Sequence, residues 1–107
     1  MTDIIVPSRY LEHFDVVVSV ASPEYVKLFA RESALKRVCV FLLSSGYASA
    51  ERVWSPVEDV PKWHCLAFER DTSWGRELAR KIVEHCNIRI GFISGNRTIE
   101  TVHASAF

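Results

Sequence analysis

Glycine is scarce in this sequence. Gly46, Gly75, Gly91 and Gly95 stand alone, with no GxGxxG or P-loop run among them, so no phosphate-cradling loop is expected. Cysteine is as thin. Cys39, Cys65 and Cys86 are odd in number, lie far apart and form no CxxC. Each sits in an apolar run, where a free thiol behaves as a small hydrophobe, and this usage suits a reducing compartment. Net charge is missing too. Thirteen basic residues balance thirteen acidic ones, which leaves no global field to draw the chain to nucleic acid or to an anionic membrane. Repeats, linkers and low-complexity segments are absent. The stretch "MTDIIVPSRY" carries an early acid and breaks at Pro7, so neither a signal peptide nor a membrane span is expected, and the cytoplasm is the expected location.

What is present describes an ordinary globular domain. About half of the 107 residues are apolar and about a quarter are charged, enough to bury one core without disulfides or metals. The expected division is an arm over 1–13, a folded core over 14–95 and a tail or extra strand over 96–107.

Six elements are expected in the core. "FDVVVSV" (14–20) is β-branched and apolar on both faces, as a covered strand would be. "SPEY" then carries helix-start signals: Ser22 to cap, Pro23 for the first turn and Glu24 for its positive end. A helix is expected from there to Gly46, with Leu28, Leu35, Val38 and Leu42 on one face and a break at "RES" (31–33). "RVCVFLL" also has strand propensity, but the flanking signals favour helix. "YASAERVW" (47–54) reads as an edge strand and "SPVEDVPK" as a turn. "VPKWHCLAFERD" (60–71) reads as a second covered strand, with His64, Leu66 and Phe68 on one face and Trp63, Cys65 and Ala67 on the other. Asp71, Thr72 or Ser73 caps a helix in which Trp74, Leu78, Ile82 and Cys86 recur at helical spacing and Asn87 ends it. "IRIGFIS" (88–94) is the last strand.

That order, strand-helix-strand-strand-helix-strand, defines an α+β fold, the ferredoxin-like split βαβ (βαββαβ). It predicts a four-stranded antiparallel sheet in the order 4-1-3-2, with both helices on one face.

Chemistry-bearing residues read as structural. His64 and Cys65 are adjacent, so on a strand they point to opposite faces and form no dyad. His85 and Cys86 close a helix, where a histidine interacts well with the negative end. No local ligand pair has zinc spacing, and no carboxylate pair shares an apolar helix face. No catalytic, cofactor or metal residue is assigned, and a non-enzyme is favoured. Trp54, Trp63 and Trp74 raise RNA stacking, but strand three lacks the basic–Gly–aromatic signature, so nucleic acid is not favoured. The candidate protein-contact residues are Trp54, Trp63 and the acidic tip, Glu58 and Asp59.

"LLSSGY", the hairpin into "WHCLAFERD", and "LARKIVEHCNIRIGF" with its Gly91-Phe92 pair resemble, in order and spacing, the regulator of ribonuclease activity B (ribonuclease E inhibitor) family. The resemblance spans roughly residues 15–95. It implies a ferredoxin-like fold and a non-catalytic protein that binds and inhibits a ribonuclease. The neutral charge departs from that family's acidic character, and no individual functional residue is carried over. The expected function is therefore a regulatory or inhibitory protein-binding module, directed at a ribonuclease or toxin. A small ligand-binding or enzymatic α+β barrel dimer is one alternative. An RNA binder using Arg52, Arg70, Arg89 and Arg97 is the other.

The sheet face away from the helices would carry Trp63, Cys65, Ala67 and valines of "DVVVSV", too apolar to stand in water. Its cover is expected from the arm, through Ile4, Ile5, Val6, Tyr10, Leu11 and Phe14, or from a second copy. A homodimer with the arm contributing is the favoured form.

Overall fold

A computed structural model describes residues 11–47, 54–57, 60–94 and 99–102. Its elements are β1 (Val16–Ser19), β2 (Val26–Arg31), α1 (Glu32–Ser44), β3 (Ser55–Pro56), β4 (Trp63–Phe68), α2 (Thr72–Cys86), β5 (Ile90–Ile93) and β6 (Ile99–Val102). They form one sheet in the order β3-β4-β2-β1-β5-β6. All neighbours are antiparallel except β1 and β5, which run parallel. The α+β class stands. The four-stranded, wholly antiparallel sheet does not, because the sheet has six strands.

The main departure lies at residues 22–31, where the expected helix is a hairpin. "VKLFAR" alternates along β2, with Val26, Leu28 and Ala30 on the helix side and Phe29 on the other. Its ladder to β1 pairs Val16 with Ala30 and Val18 with Leu28. Ser22 does accept a backbone hydrogen bond, but from Glu24 within the hairpin turn, at 3.4 Å, not at a helix start. The break expected at 31–33 is the junction where β2 becomes α1. Arg31 supplies no side-chain cap there. Instead the first helical amide, Glu32 N–H, donates to the Lys62 carbonyl at 2.7 Å, which ties α1 to the turn before β4.

The split order 4-1-3-2 is kept only with β2, expected as helix, in place of 14–20 as strand one: β5, β2, β4 and β3 then hold places 4, 1, 3 and 2, with β1, the expected first strand, inserted between β5 and β2. That insertion makes β1 parallel to β5. The expected edge strand over 47–54 falls mostly outside the described residues, and the described edge strand is the two-residue β3.

The ends of α1 and α2 follow local chemistry. α1 stops in a left-handed turn at Gly46, whose φ is 76°. There Tyr47 N–H reaches Leu42 O at 2.9 Å and Gly46 N–H reaches Leu43 O at 3.4 Å, a Schellman arrangement. Asp71 caps α2 by accepting from Trp74 N–H at 2.9 Å, and Asn87 ends it at φ 49°.

Both helices pack on one face of the sheet. Val38, Phe41 and Leu42 of α1 and Leu78, Ala79 and Ile82 of α2 join Val16, Val18, Leu28, Leu66, Phe68, Ile90 and Phe92 in one buried cluster. Gly75 lets α2 approach closely: a Cβ there would lie 2.5 Å from Val20 Cγ1 and 2.8 Å from Val26 Cγ2. A second cluster covers the opposite face. Val17, Phe29, Trp63, Cys65 and Ile93 are buried there by Leu11, Phe14 and Val57.

Arg31 fastens that cover. Its Nη2 donates to Leu11 O at 2.8 Å and to Phe14 O at 2.9 Å, and its Nε donates to Phe14 O at 3.3 Å. The guanidinium also lies 5.1 Å from the Trp63 ring centre, a favourable cation–π placement. The Trp63 and Cys65 part of the face is thus covered within a single chain, while Ala67, on the same side of β4, is exposed. The expectation of a homodimer rested on that face being open, and over Trp63 and Cys65 this support for it is gone. Leu11 and Phe14 of the arm take part as expected, while Ile4, Ile5, Val6 and Tyr10 lie outside the described residues.

Candidate functional site: a groove along the first helix

Among the described residues, the large apolar side chains left exposed are Tyr25, Val40 and Leu43. Two of the three lie on α1, three positions apart, so they sit on neighbouring turns of one helix face. Val40 is 60% exposed and Leu43 is 53%. The sequence "RVCVFLLSS" explains this. It is apolar nearly all round, but α1 can turn only one side to the sheet. Val38, Phe41 and Leu42 take that side, and Val40 and Leu43 are left outward.

Beside them runs a groove of about 630 Å³ between α1 and the end of α2. Ser33, Lys36, Arg37, Val40 and Ser44 line it from α1, with Phe41 and Cys86 as buried floor and His85 opposite. The spacing 33, 36, 37, 40 and 44 is one helical stripe. The Phe41 and His85 rings approach to 5.5 Å between centres, which joins the two walls. No lining residue carries a carboxylate. The nearby acids of α2, Glu77 and Glu84, both pair with Arg80. Lys36 and Arg37 are thus the charged side chains of the lining itself, with the acid Glu32 in the first turn of the same helix.

The thiol on the groove floor is held back from its thiolate form. Burial pushes the Cys86 thiol up, and Arg37 offsets this only in part. Cys65, on the far face, is pushed up to about 11 by burial, so its reactive thiolate is withheld at neutral pH. Among the described residues no three His, Cys, Asp or Glu side chains come together as a metal site.

Of the contact residues singled out from sequence, Trp54 and Trp63 are described, and they lie on different faces. Trp63 is buried beneath Arg31, at 4% exposure, and leaves almost nothing for a partner to touch. Trp54 is half-buried against the helix-side cluster, so these two aromatics serve opposite faces of the sheet. Glu58 and Asp59 lie outside the described residues. His64 and Cys65 do alternate across β4, with Cys65 buried on the far side. Of the arginines considered for RNA, Arg70 lies over the Trp74 ring and Arg89 pairs with Asp15, while Arg52 and Arg97 lie outside the described residues.

The fold and groove define a class: an α+β chain with a two-sided sheet, two helices on one face, and one helix that keeps an apolar, basic-rimmed stripe outward. Comparison with family models, with curated proteins and with solved structures finds no match for this chain. No helix among the described residues is long and apolar enough to cross a membrane.

Proposed function

We propose that this chain is a small, non-catalytic, cytoplasmic regulatory protein that works as a monomer by docking a partner protein along the outer face of α1. One observation supports the reading most: Val40 and Leu43 stand exposed side by side next to a groove, while each face of the sheet already carries a buried cluster. A monomer gains nothing from leaving two such side chains in water, and adjacent exposed apolar groups beside polar ones mark contact surfaces. The fold is read as a ferredoxin-like split βαβ elaborated by β1 and β6. The resemblance to ribonuclease E inhibitors suggests inhibition of a ribonuclease or toxin as the outcome of docking.

The test is affinity capture from the native cell with three forms of the full chain: wild type, Val40→Asp/Leu43→Asp, and Glu69→Lys as an exposed control elsewhere. The reading expects a partner held by wild type and by the control but lost from the α1 variant. The partner's own activity should fall on adding wild type and stay unchanged with the α1 variant. A partner retained equally by all three forms would place docking elsewhere.

A further inference from the structure

We infer that the groove takes an acidic, apolar polypeptide segment of the partner, with carboxylates on Lys36 and Arg37 and an apolar side chain over Val40. The inference rests on the docking reading above and adds the partner's chemistry.

Charge selects the occupant first. Lys36 and Arg37 line the groove one turn before Val40, and no carboxylate lines it. Ser33 and Ser44 add hydroxyl donors at either end. Ser44 already donates to Phe41 O at 3.1 Å, so its oxygen still accepts and Ser33 is the freer donor. Complementary charge at the rim governs encounter and partner choice more than raw affinity.

A second copy fits poorly. In a symmetric pair through α1, Lys36 and Arg37 of both copies would crowd the same helix–helix seam. Glu77 and Glu84 already share Arg80, and the single Glu32 of each α1 is outnumbered by Lys36 and Arg37. Like charges brought together at an interface select against that partner.

Length selects next. Ser33 to Ser44 spans eleven helical steps, roughly 17 Å at the usual rise. That suits a few turns of helix, or an extended segment, laid lengthwise with apolar anchors, as in helix-in-groove recognition. A compact anion would fill only one end. Single-stranded nucleic acid would want aromatic faces to stack on, and the groove's Phe41 is buried as floor.

The test selects phage-displayed random dodecapeptides on the immobilised full-length chain, with Lys36→Glu/Arg37→Glu as the matched variant. Both residues are exposed, so the variant should keep the wild-type melting temperature. The recovered peptides should carry Asp or Glu beside Leu, Ile or Phe, and their binding should weaken with salt. The variant should bind them roughly tenfold less well or worse, as expected when rim charges reverse sign. Val40→Asp/Leu43→Asp should lose them as well. Neutral or basic peptides, acidic peptides indifferent to Lys36→Glu/Arg37→Glu, or an empty selection would overturn the inference. So would a single-stranded oligoribonucleotide that outcompetes every peptide. If the native partner depends on Val40 and Leu43 but not on Lys36 and Arg37, docking stands and its acidic chemistry falls.

Discussion

The two faces of the sheet are closed by different means. On one, two amphipathic helices lay Val38, Leu42, Leu78 and Ile82 over the strands, with backbone polarity satisfied inside each helix. On the other, Leu11 and Phe14, from the segment before β1, and Val57, beside β3, do the covering. Phe14 N–H already donates to Leu11 O, and the carbonyls of Leu11 and Phe14 are both met by the Arg31 guanidinium. The helices seal a surface by pattern. The segment before β1 is held by a specific polar anchor, because buried carbonyls without partners are costly.

The comparison can be broken at its deepest point first. Phe68, 1% exposed on the helix side, should cost about 3–5 kcal/mol on truncation to Ala, measured by denaturant unfolding. A loss under about 1 kcal/mol would take Phe68 out of the core. On the other face, Arg31→Ala should cost about 2 kcal/mol, since hydrogen bonds from a charged group to carbonyls are among the stronger ones. It should do so without disturbing the helix side.

Cysteine labelling reads that difference directly, because Cys86 belongs to the helix-side cluster and Cys65 to the other. Both should label slowly in the native protein, and Cys65 should speed up in Arg31→Ala while Cys86 does not. Equal acceleration of both would show that the faces open together.

The smallest effect concerns Asp15. Partial burial raises its pKa, but the Arg89 guanidinium and backbone N–H, with Arg31 beyond, outweigh this and hold it below the ordinary 3.8. A lowered carboxylate stabilises the fold above its unfolded value and loses that contribution as pH falls through the folded one. Asp15→Asn should therefore cost under about 1 kcal/mol near neutrality and flatten the acid limb below about pH 4. An unchanged acid limb would remove Asp15 from the account.

Much of the fold is legible in the sequence where one signal acts alone. The alternation in "WHCLAF" sorts Leu66 and Phe68 from Trp63 and Cys65 to the correct faces, and Gly46, Asp71 and Asn87 mark helix ends. Reading failed at 22–31, where local and long-range demands compete. "SPEY" has helix-start chemistry, but "VKLFAR" completes a ladder with β1 that no local signal reveals. Read as helix, this stretch merges β2 into α1 and gives β1 the place in the split order that β2 holds. The groove was equally hidden. "RVCVFLL" is so apolar that only the placement of the sheet decides which residues turn outward. Trp63 was offered as a contact residue because aromatics suit both interfaces and cores, and the carbonyl-bound Arg31 above it is visible only in three dimensions.

With Trp63 and Cys65 covered within one chain, the outer face of α1 is the docking surface proposed. Sedimentation of the full-length protein across the micromolar range tests this most directly. The account expects one species at the 12.2 kDa monomer mass at every concentration, with Cys65 protected throughout. A dimer that forms as concentration rises, with Cys65 protected only in that dimer, would contradict it.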